Sequence, residues 1–282
     1  MPVILVTGAS SIVGRYLLPL LAAQGYPVIA LSRHCHERSG SATWMYSDIA
    51  AGRMPPAAGS ADILIHLAPL PMLIPLLHGG NLNALRRVLA VGTTSVFTKS
   101  DSHAPDERTA IAAQRRAERA LATAAGSLGF CWTLFRPTLV YDGIHDKNIA
   151  HIVRFIAKFG FFPVVKPASG LRQPLHAADL AWACAEVLGK PLTESQSYNL
   201  AGGQVLRYRE MVEQVFRSLG KPPRIVAVQP WFYRAALAMM NMHPRYHYIN
   251  PEMAERMNVD MVFDIAAARR DFGFSPRPFQ LY

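Results

Sequence analysis

Cysteine is scarce in this chain: Cys35, Cys131 and Cys184 are the three in 282 residues, odd in number, far apart and without metal-ligand spacing. Neither a disulfide framework nor a zinc site follows from them, and they read as small buried apolar residues. Long apolar runs are missing too, since no stretch reaches the ~18 residues of a membrane-spanning helix. No basic, cleavable leader precedes the first apolar run, so the expected location is cytoplasmic. Acidic residues are in deficit, 19 Asp and Glu against 29 Lys and Arg, giving a net charge of +10. Such a surface attracts phosphate-bearing small molecules, anionic membranes or nucleic acid alike. The positive residues are dispersed, however, pairing locally at Arg86-Arg87, Arg115-Arg116 and Arg269-Arg270 without a basic run interleaved with aromatics. Nucleic acid is therefore not an expected partner. Internal repeats and low-complexity linkers are absent as well.

What is present is apolar material in short, regularly interrupted runs, 51% of residues being hydrophobic. Strands are expected at 3–6, 28–31, 43–46, 63–67, 88–91 and 132–135, with helical patterns between several of them, most clearly at 109–125. Alternation of this kind predicts an α/β fold: a doubly wound parallel sheet, Rossmann-like, with helices on both faces. Residues 1–140 form the expected dinucleotide-binding core. Residues 141–282 form a smaller, mixed C-terminal substrate lobe with a helix near 177–188 and a returning strand at 197–200, the whole being one compact unit.

The opening stretch carries the strongest signal. Thr7-Gly8-Ala9-Ser10-Ser11-Ile12-Val13-Gly14 joins a strand to a helix, whose N-terminus is an anion site. Gly8 permits the tight turn, and Gly14 is expected to let the helix pack closely on the sheet. Ser11 stands where a third glycine is usual, offering its backbone N–H and hydroxyl to a pyrophosphate. Pro19 falls inside the helix pattern, where it removes one backbone hydrogen bond and is expected to kink the helix. At the end of the second strand an acid would accept bonds from the adenosine ribose, whereas this chain has Ser32-Arg33, suited to a 2′-phosphate. That favours NADP(H) over NAD(H).

With these residues in hand the chain resembles the short-chain dehydrogenase/reductase superfamily, in its extended, NAD-dependent epimerase/dehydratase-like form. Thr7–Gly14 looks like the TGxxGxxG loop, Ser47-Asp48-Ile49 like the GDL-type segment near the adenine, and His66-Leu67-Ala68 like the HxA segment after the fourth strand. Residues 92–97 resemble the serine-rich end of the fifth strand. Arg136-Pro137-Thr138-Leu139-Val140-Tyr141 is similar to the RPxxxYG segment, with Asp142 where glycine is common. Residues 173–179 and 199–203 resemble the (Y/P)xHVxD and NLGGG-like segments. The resemblance implies that Gly8, Ser10, Ser11, Ile12 and Gly14 cradle the pyrophosphate, Asp48 and Ile49 meet the adenine, and His66, Leu67, Ala68 and Thr93 border the nicotinamide.

The departures bear on chemistry. Aligned by the downstream Ala117-Glu118, the family's YxxxK pair falls on Ala110 and Gln114, neither of which can donate a proton or depress a phenol pKa. Tyrosine is absent between Tyr46 and Tyr141, so shifting the alignment recovers none. Thr93 falls at the family's serine. The replacement acid is sought among Lys99, Tyr141 and His176, each at the mouth of the sheet or in the substrate-side loop, and each with a plain structural alternative.

The resulting expectation is an atypical NADP(H)-dependent oxidoreductase or epimerase-like protein acting on a nucleotide- or lipid-linked sugar or a related alcohol or carbonyl. The alternative is a non-catalytic NADP(H)-binding subunit or redox sensor. Peripheral membrane contact through the aromatic segment 231–240 is a third reading, and a homodimer face is another use of that segment. His34-Cys35-His36 looks like metal ligands but lacks further partners, so no metal is expected. The aromatics at 243–248 and 155–162 line a pocket or pack the lobe.

Overall fold

A computed structural model describes residues 1–33, 42–79, 82–232 and 256–281. Its centre is a seven-stranded sheet of β1 (Ile4–Thr7), β2 (Val28–Ser32), β3 (Thr43–Tyr46), β4 (Ile63–His66), β5 (Arg87–Val91), β6 (Cys131–Pro137) and a late strand, Gln196–Leu200. The spatial order is Gln196–Leu200, β6, β5, β4, β1, β2, β3, and every neighbouring pair is parallel. Parallel strands need crossovers, and α1 (Ile12–Ala23), α2 (Leu73–Gly79), α3 (Ser95–Thr98) and α4 (Pro105–Leu128) lie in these crossovers.

The strand sequences show why both faces are covered. Ile4, Val6, Val28, Ala30, Ile63 and Ile65 enter one core with α1 and the later helix Ala177–Glu186, while Leu5, Ile29, Leu31 and Leu64 enter a second core with α2 and α4. Alternate residues of a strand point to opposite faces, so runs of unbroken hydrophobicity serve two cores at once. On α4 the buried Ile111, Ala117, Leu121, Ala124 and Ala125 form one stripe. Pro105 opens that helix and Gly129, at φ +74°, closes it in the left-handed region. α1 runs through Pro19 without ending there.

A third core builds the C-terminal lobe from α5 (Ile149–Phe159), the helix Tyr208–Ser218 and the paired strands Phe162–Val165 and Ile225–Val228, enclosing Ile152, Ile156, Val212 and Phe216. The lobe joins the sheet through Gln196–Leu200, which pairs with β6 from Thr133 to Pro137. Ala177–Glu186 packs along α1.

Candidate functional site

β1 and β4 are adjacent, with Thr7 opposite His66, and the strand order reverses between them. Open parallel sheets bind ligands beyond the carboxyl ends of strands at such a point. A cleft of about 490 Å³ lies there, lined by Gly8, Ser10 and Ser11 after β1, Arg33 after β2, Asp48 and Ile49 after β3, Leu67 and Ala68 after β4, and Lys147 from the C-terminal lobe. Of the residues the sequence assigned to a cofactor, Ile12, Gly14 and His66 do not line it.

Gly8 has φ +67°, and a Cβ there would stand 2.7 Å from the Ala68 nitrogen and 2.8 Å from the Leu67 carbonyl carbon. The first turn therefore abuts the end of β4, and only glycine fits. Gly14 has a different reason from the one expected: a Cβ would lie 2.0 Å from the carbonyl oxygen of Ala9, so its constraint comes from the helix's own entry loop and not from the sheet. Ser11 is likewise reassigned. Its N–H donates to Gly8 O at 2.9 Å, and its Oγ caps α1 by accepting from Gly14 N–H at 3.2 Å, leaving only the hydroxyl proton to offer a ligand. The amides of Ile12 and Val13 have no acceptor among the described residues, and the first turn of α1 carries no acid. That helix end is open to an anion. The Ile12 side chain itself packs against the core.

At the opposite end, Arg33 is exposed and has no carboxylate partner among the described residues. Asp48 Oδ2 pairs with Arg53 at 3.3 Å, whereas Asp48 Oδ1 is buried without a hydrogen-bond partner. His66 supports the cleft from beneath. Its Nε2–H donates to Pro69 O at 3.2 Å, so Nδ1 accepts from the Thr7 hydroxyl at 2.7 Å. Burial lowers its pKa to about 4, against the opposing Pro69 bond, and the ring is neutral at pH 7.

Of the four candidate catalytic residues, Tyr141 and His176 touch each other. None lines the cleft among its described wall. Thr93 Oγ1 accepts from Ser95 N–H at 3.1 Å just past β5. Lys99 pairs with Glu107 at 3.0 Å, and Glu107 also receives Ser102 and Arg256. Tyr141 is fully buried, and its hydroxyl donates to Gln280 O at 3.2 Å and accepts from Gln280 N–H at 3.1 Å. His176 accepts from Ala178 N–H at 3.1 Å, capping Ala177–Glu186, with its ring edge-on to Tyr141. Burial, and then Arg277, lower the His176 pKa. Ala110 is exposed, and Gln114 lies against Gly92.

Sequence reasoning missed Leu31, Ala50, Pro69 and Met72 of the lining and, from the C-terminal lobe, Lys147, whose one trace is Asp142 at a position where glycine is common. A second concavity of about 310 Å³ runs along α4, lined by Ser100 and by Arg108, Arg115, Arg116 and Arg119. It has no glycine among its lining residues. Phe155 packs against Phe159, Phe161 and Phe162, of which Phe159 and Phe161 are exposed. Trp231 and Phe232 are exposed, while residues 34–36 and 243–248 and the rest of 231–240 lie outside the described residues. Among the described residues no three His, Cys, Asp or Glu side chains could hold a metal, and no helix is long and apolar enough to cross a membrane.

Residues 4–75 match the family model described as NAD dependent epimerase/dehydratase family. An uncharacterized protein of Mycobacterium tuberculosis is 26% identical over 222 residues, covering 78% of this chain and 23% of its own length. The chain thus spans about a quarter of the first curated relatives that it matches. UDP-glucose 4-epimerase of Vibrio cholerae is 21% identical over 180 residues, covering 64% of this chain and 52% of that protein. Among solved structures, the UDP-glucuronic acid 4-epimerase of Bacillus cereus, in complex with UDP-glucuronic acid and NAD, superposes with a TM-score of 0.74 at 14% identity, covering 97% of this chain and 93% of that one. The UDP-glucose 4-epimerase of Thermotoga maritima, with UDP-glucose, gives 0.71 at 15% identity over 97% and 93%.

Proposed function

We propose that the chain is epimerase/dehydratase-like and binds NADP(H) in the cleft between the ends of β1 and β4. One observation carries this reading: at a single cleft stand a glycine cradle, a helix N-terminus whose first two amides lack an acceptor, an arginine without a carboxylate and a buried carboxylate oxygen without a donor, all among the described residues. Each fits one part of the dinucleotide. The Ile12 and Val13 amides and the Ser11 hydroxyl would hold the pyrophosphate, and Gly8 would allow its close approach. Asp48 Oδ1 would accept the adenine amino group, and Arg33 would meet the 2′-phosphate.

When bound, the nicotinamide supplies two-electron transfer to or from a carbonyl or carbinol carbon. The accompanying substrate is a nucleotide- or lipid-linked sugar or a related alcohol or carbonyl, since the similar proteins named above include epimerases of UDP-sugars. Thr93 is suited to orient the substrate oxygen, because its Oγ1 accepts from Ser95 and its own proton has no acceptor among the described residues. The alternative, a non-catalytic NADP(H)-binding subunit or sensor, is favoured by the engagement of the Lys99 ammonium, the Tyr141 hydroxyl and the His176 Nδ1 in structural bonds.

Fluorescence titration tests the binding reading. NADPH should bind more tightly than NADH, and failure to bind either dinucleotide refutes it. Oxidation of bound NADPH by one member of a panel of carbonyl compounds, or reduction of bound NADP by a UDP-sugar carbinol, would decide for turnover. Panels that leave NADPH unoxidised and NADP unreduced favour the sensor.

A further inference from the structure

The cleft has one wall that the dinucleotide-binding core does not supply. Every lining residue lies between Gly8 and Met72 except Lys147, which reaches it from the loop between the short strand Val140–Tyr141 and α5. That loop is held firmly for an exposed segment. Asp142 Oδ1 accepts the N–H groups of Ile144, His145 and Asp146 at 2.9, 2.7 and 3.1 Å, and Oδ2 takes the His145 Nδ1–H at 2.9 Å. Burial opposes its charge, yet the Ile144, His145 and Asp146 amides and the His145 ring prevail and bring its pKa down to about 2. Asp146 in turn accepts from Gly143, Asn148 and Ala150. The loop is also tied to the core, since Arg15 of α1 donates to His145 Nε2 at 3.1 Å.

Lys147 sits between these anchors and makes no ion pair among the described residues. Lys147 is exposed at the cleft wall between neighbours that are held by hydrogen bonds, so its charge is open to an anion bound there. The tether points to what that is. Arg15 belongs to the start of α1, whose Ile12 and Val13 amides lack acceptors, whereas Arg33 stands after β2 at the other end of the cleft.

We propose that the segment 142–148 is a strap that places the Lys147 ammonium on the dinucleotide's pyrophosphate, with Asp142 as its positioning residue. The inference rests on the NADP(H) reading and adds a division of labour: Arg33 senses the 2′-phosphate that separates NADP from NAD, and Lys147 senses the diphosphate that they share. The strap also couples the two lobes, because the C-terminal lobe contributes directly to cofactor affinity.

The test is a set of titrations on the full chain with NADPH, NADH, ADP and adenosine. Lys147→Ala should weaken NADPH, NADH and ADP alike by about tenfold, the worth of one charge-assisted hydrogen bond, and leave adenosine unchanged. Lys147→Arg should restore most of the loss. Asp142→Gly should lower affinity for the same three ligands, and the double variant should bind no more weakly than Lys147→Ala, because both act through one contact. Loss confined to NADPH would overturn the assignment by moving Lys147 to the 2′-phosphate, and affinities equal to wild type would overturn it outright. A wild-type chain that binds no dinucleotide refutes the NADP(H) reading itself, whereas wild-type binding with an indifferent Lys147 refutes only the strap. If Asp142→Gly unfolds, the comparison of Lys147→Ala with Lys147→Arg still decides.

Discussion

Replacing Gly8 by alanine tests the architecture of the cleft at its narrowest point. Two costs add. A residue with a Cβ at φ +67° pays about 1–2 kcal/mol for the left-handed conformation. The new methyl would also meet the backbone at 2.7 Å from Ala68 N and 2.8 Å from Leu67 C, and forcing an extra carbon into such a contact costs typically about 1–3 kcal/mol. The sum is about 2–5 kcal/mol. Gly52 provides an internal control, since it has the same φ of +67° but nothing within 4 Å of its would-be Cβ. Gly52→Ala should therefore cost only the conformational part, about 1–2 kcal/mol. Thermal unfolding of the three proteins reads the difference, at roughly 2–4 °C for each kcal/mol in a chain approaching this size. NADPH titration of the same samples reads the effect on the ligand, which should be large for Gly8→Ala and absent for Gly52→Ala. If Gly8→Ala is as stable as Gly52→Ala and binds NADPH undiminished, the close approach of the first turn to β4 is not what shapes this site.

Three further outcomes follow from named contacts. Arg33→Ala should weaken NADPH by about tenfold and leave NADH unchanged, in fluorescence titrations at low salt; equal loss for both would remove Arg33 from the 2′-phosphate. Lys147→Ala gives the complementary pattern already described, with loss for both dinucleotides. His66 sets an acid limit on stability. Unfolded, its ring takes up a proton near pH 6.5, but the buried ring does so only near pH 4, so falling pH favours the unfolded chain through that window. Its contribution is fully present above pH 6.5, and about 3 kcal/mol of it is lost by pH 4. Urea melts across this range should show His66→Gln losing correspondingly less stability than wild type, and parallel pH profiles would contradict the neutral buried ring.

Much of the core sheet was legible because its strands are short apolar runs serving two cores. The expected strand at 43–46 coincides with β3, the run at 88–91 misses only Arg87 of β5, and the helix at 109–125 lies inside Pro105–Leu128. The returning strand at 197–200 lies within Gln196–Leu200 and pairs with β6, as the chain's re-entry into the sheet requires. The C-terminal lobe was less legible. Phe162–Val165 is four residues long, contains Pro163 and finds its partner at Ile225–Val228, about sixty positions away, so no local period announces it. Within the site, Gly8, Ser10, Ser11, Arg33, Asp48, Ile49, Leu67 and Ala68 could be named because each follows a strand of the core. His66 sits at such a strand end too, but its ring turns beneath the floor to Thr7 and Pro69.

By itself the sequence determined the alternation of strand and helix, and with it a parallel sheet whose strand ends carry a glycine-bearing loop, an arginine and an acid. Those are properties of residue type and spacing, which the chain carries locally. Only the tertiary structure decided which polar groups remain free. Lys99, Tyr141 and His176 look alike available in a string of letters, but packing places Glu107 beside Lys99, the Gln280 backbone on the Tyr141 hydroxyl, and a helix cap on the His176 Nδ1. The same folding leaves Asp48 Oδ1 without a donor and brings Lys147 across from the other lobe. Availability depends on partners distant in sequence, and those partners exist only once the chain has closed on itself.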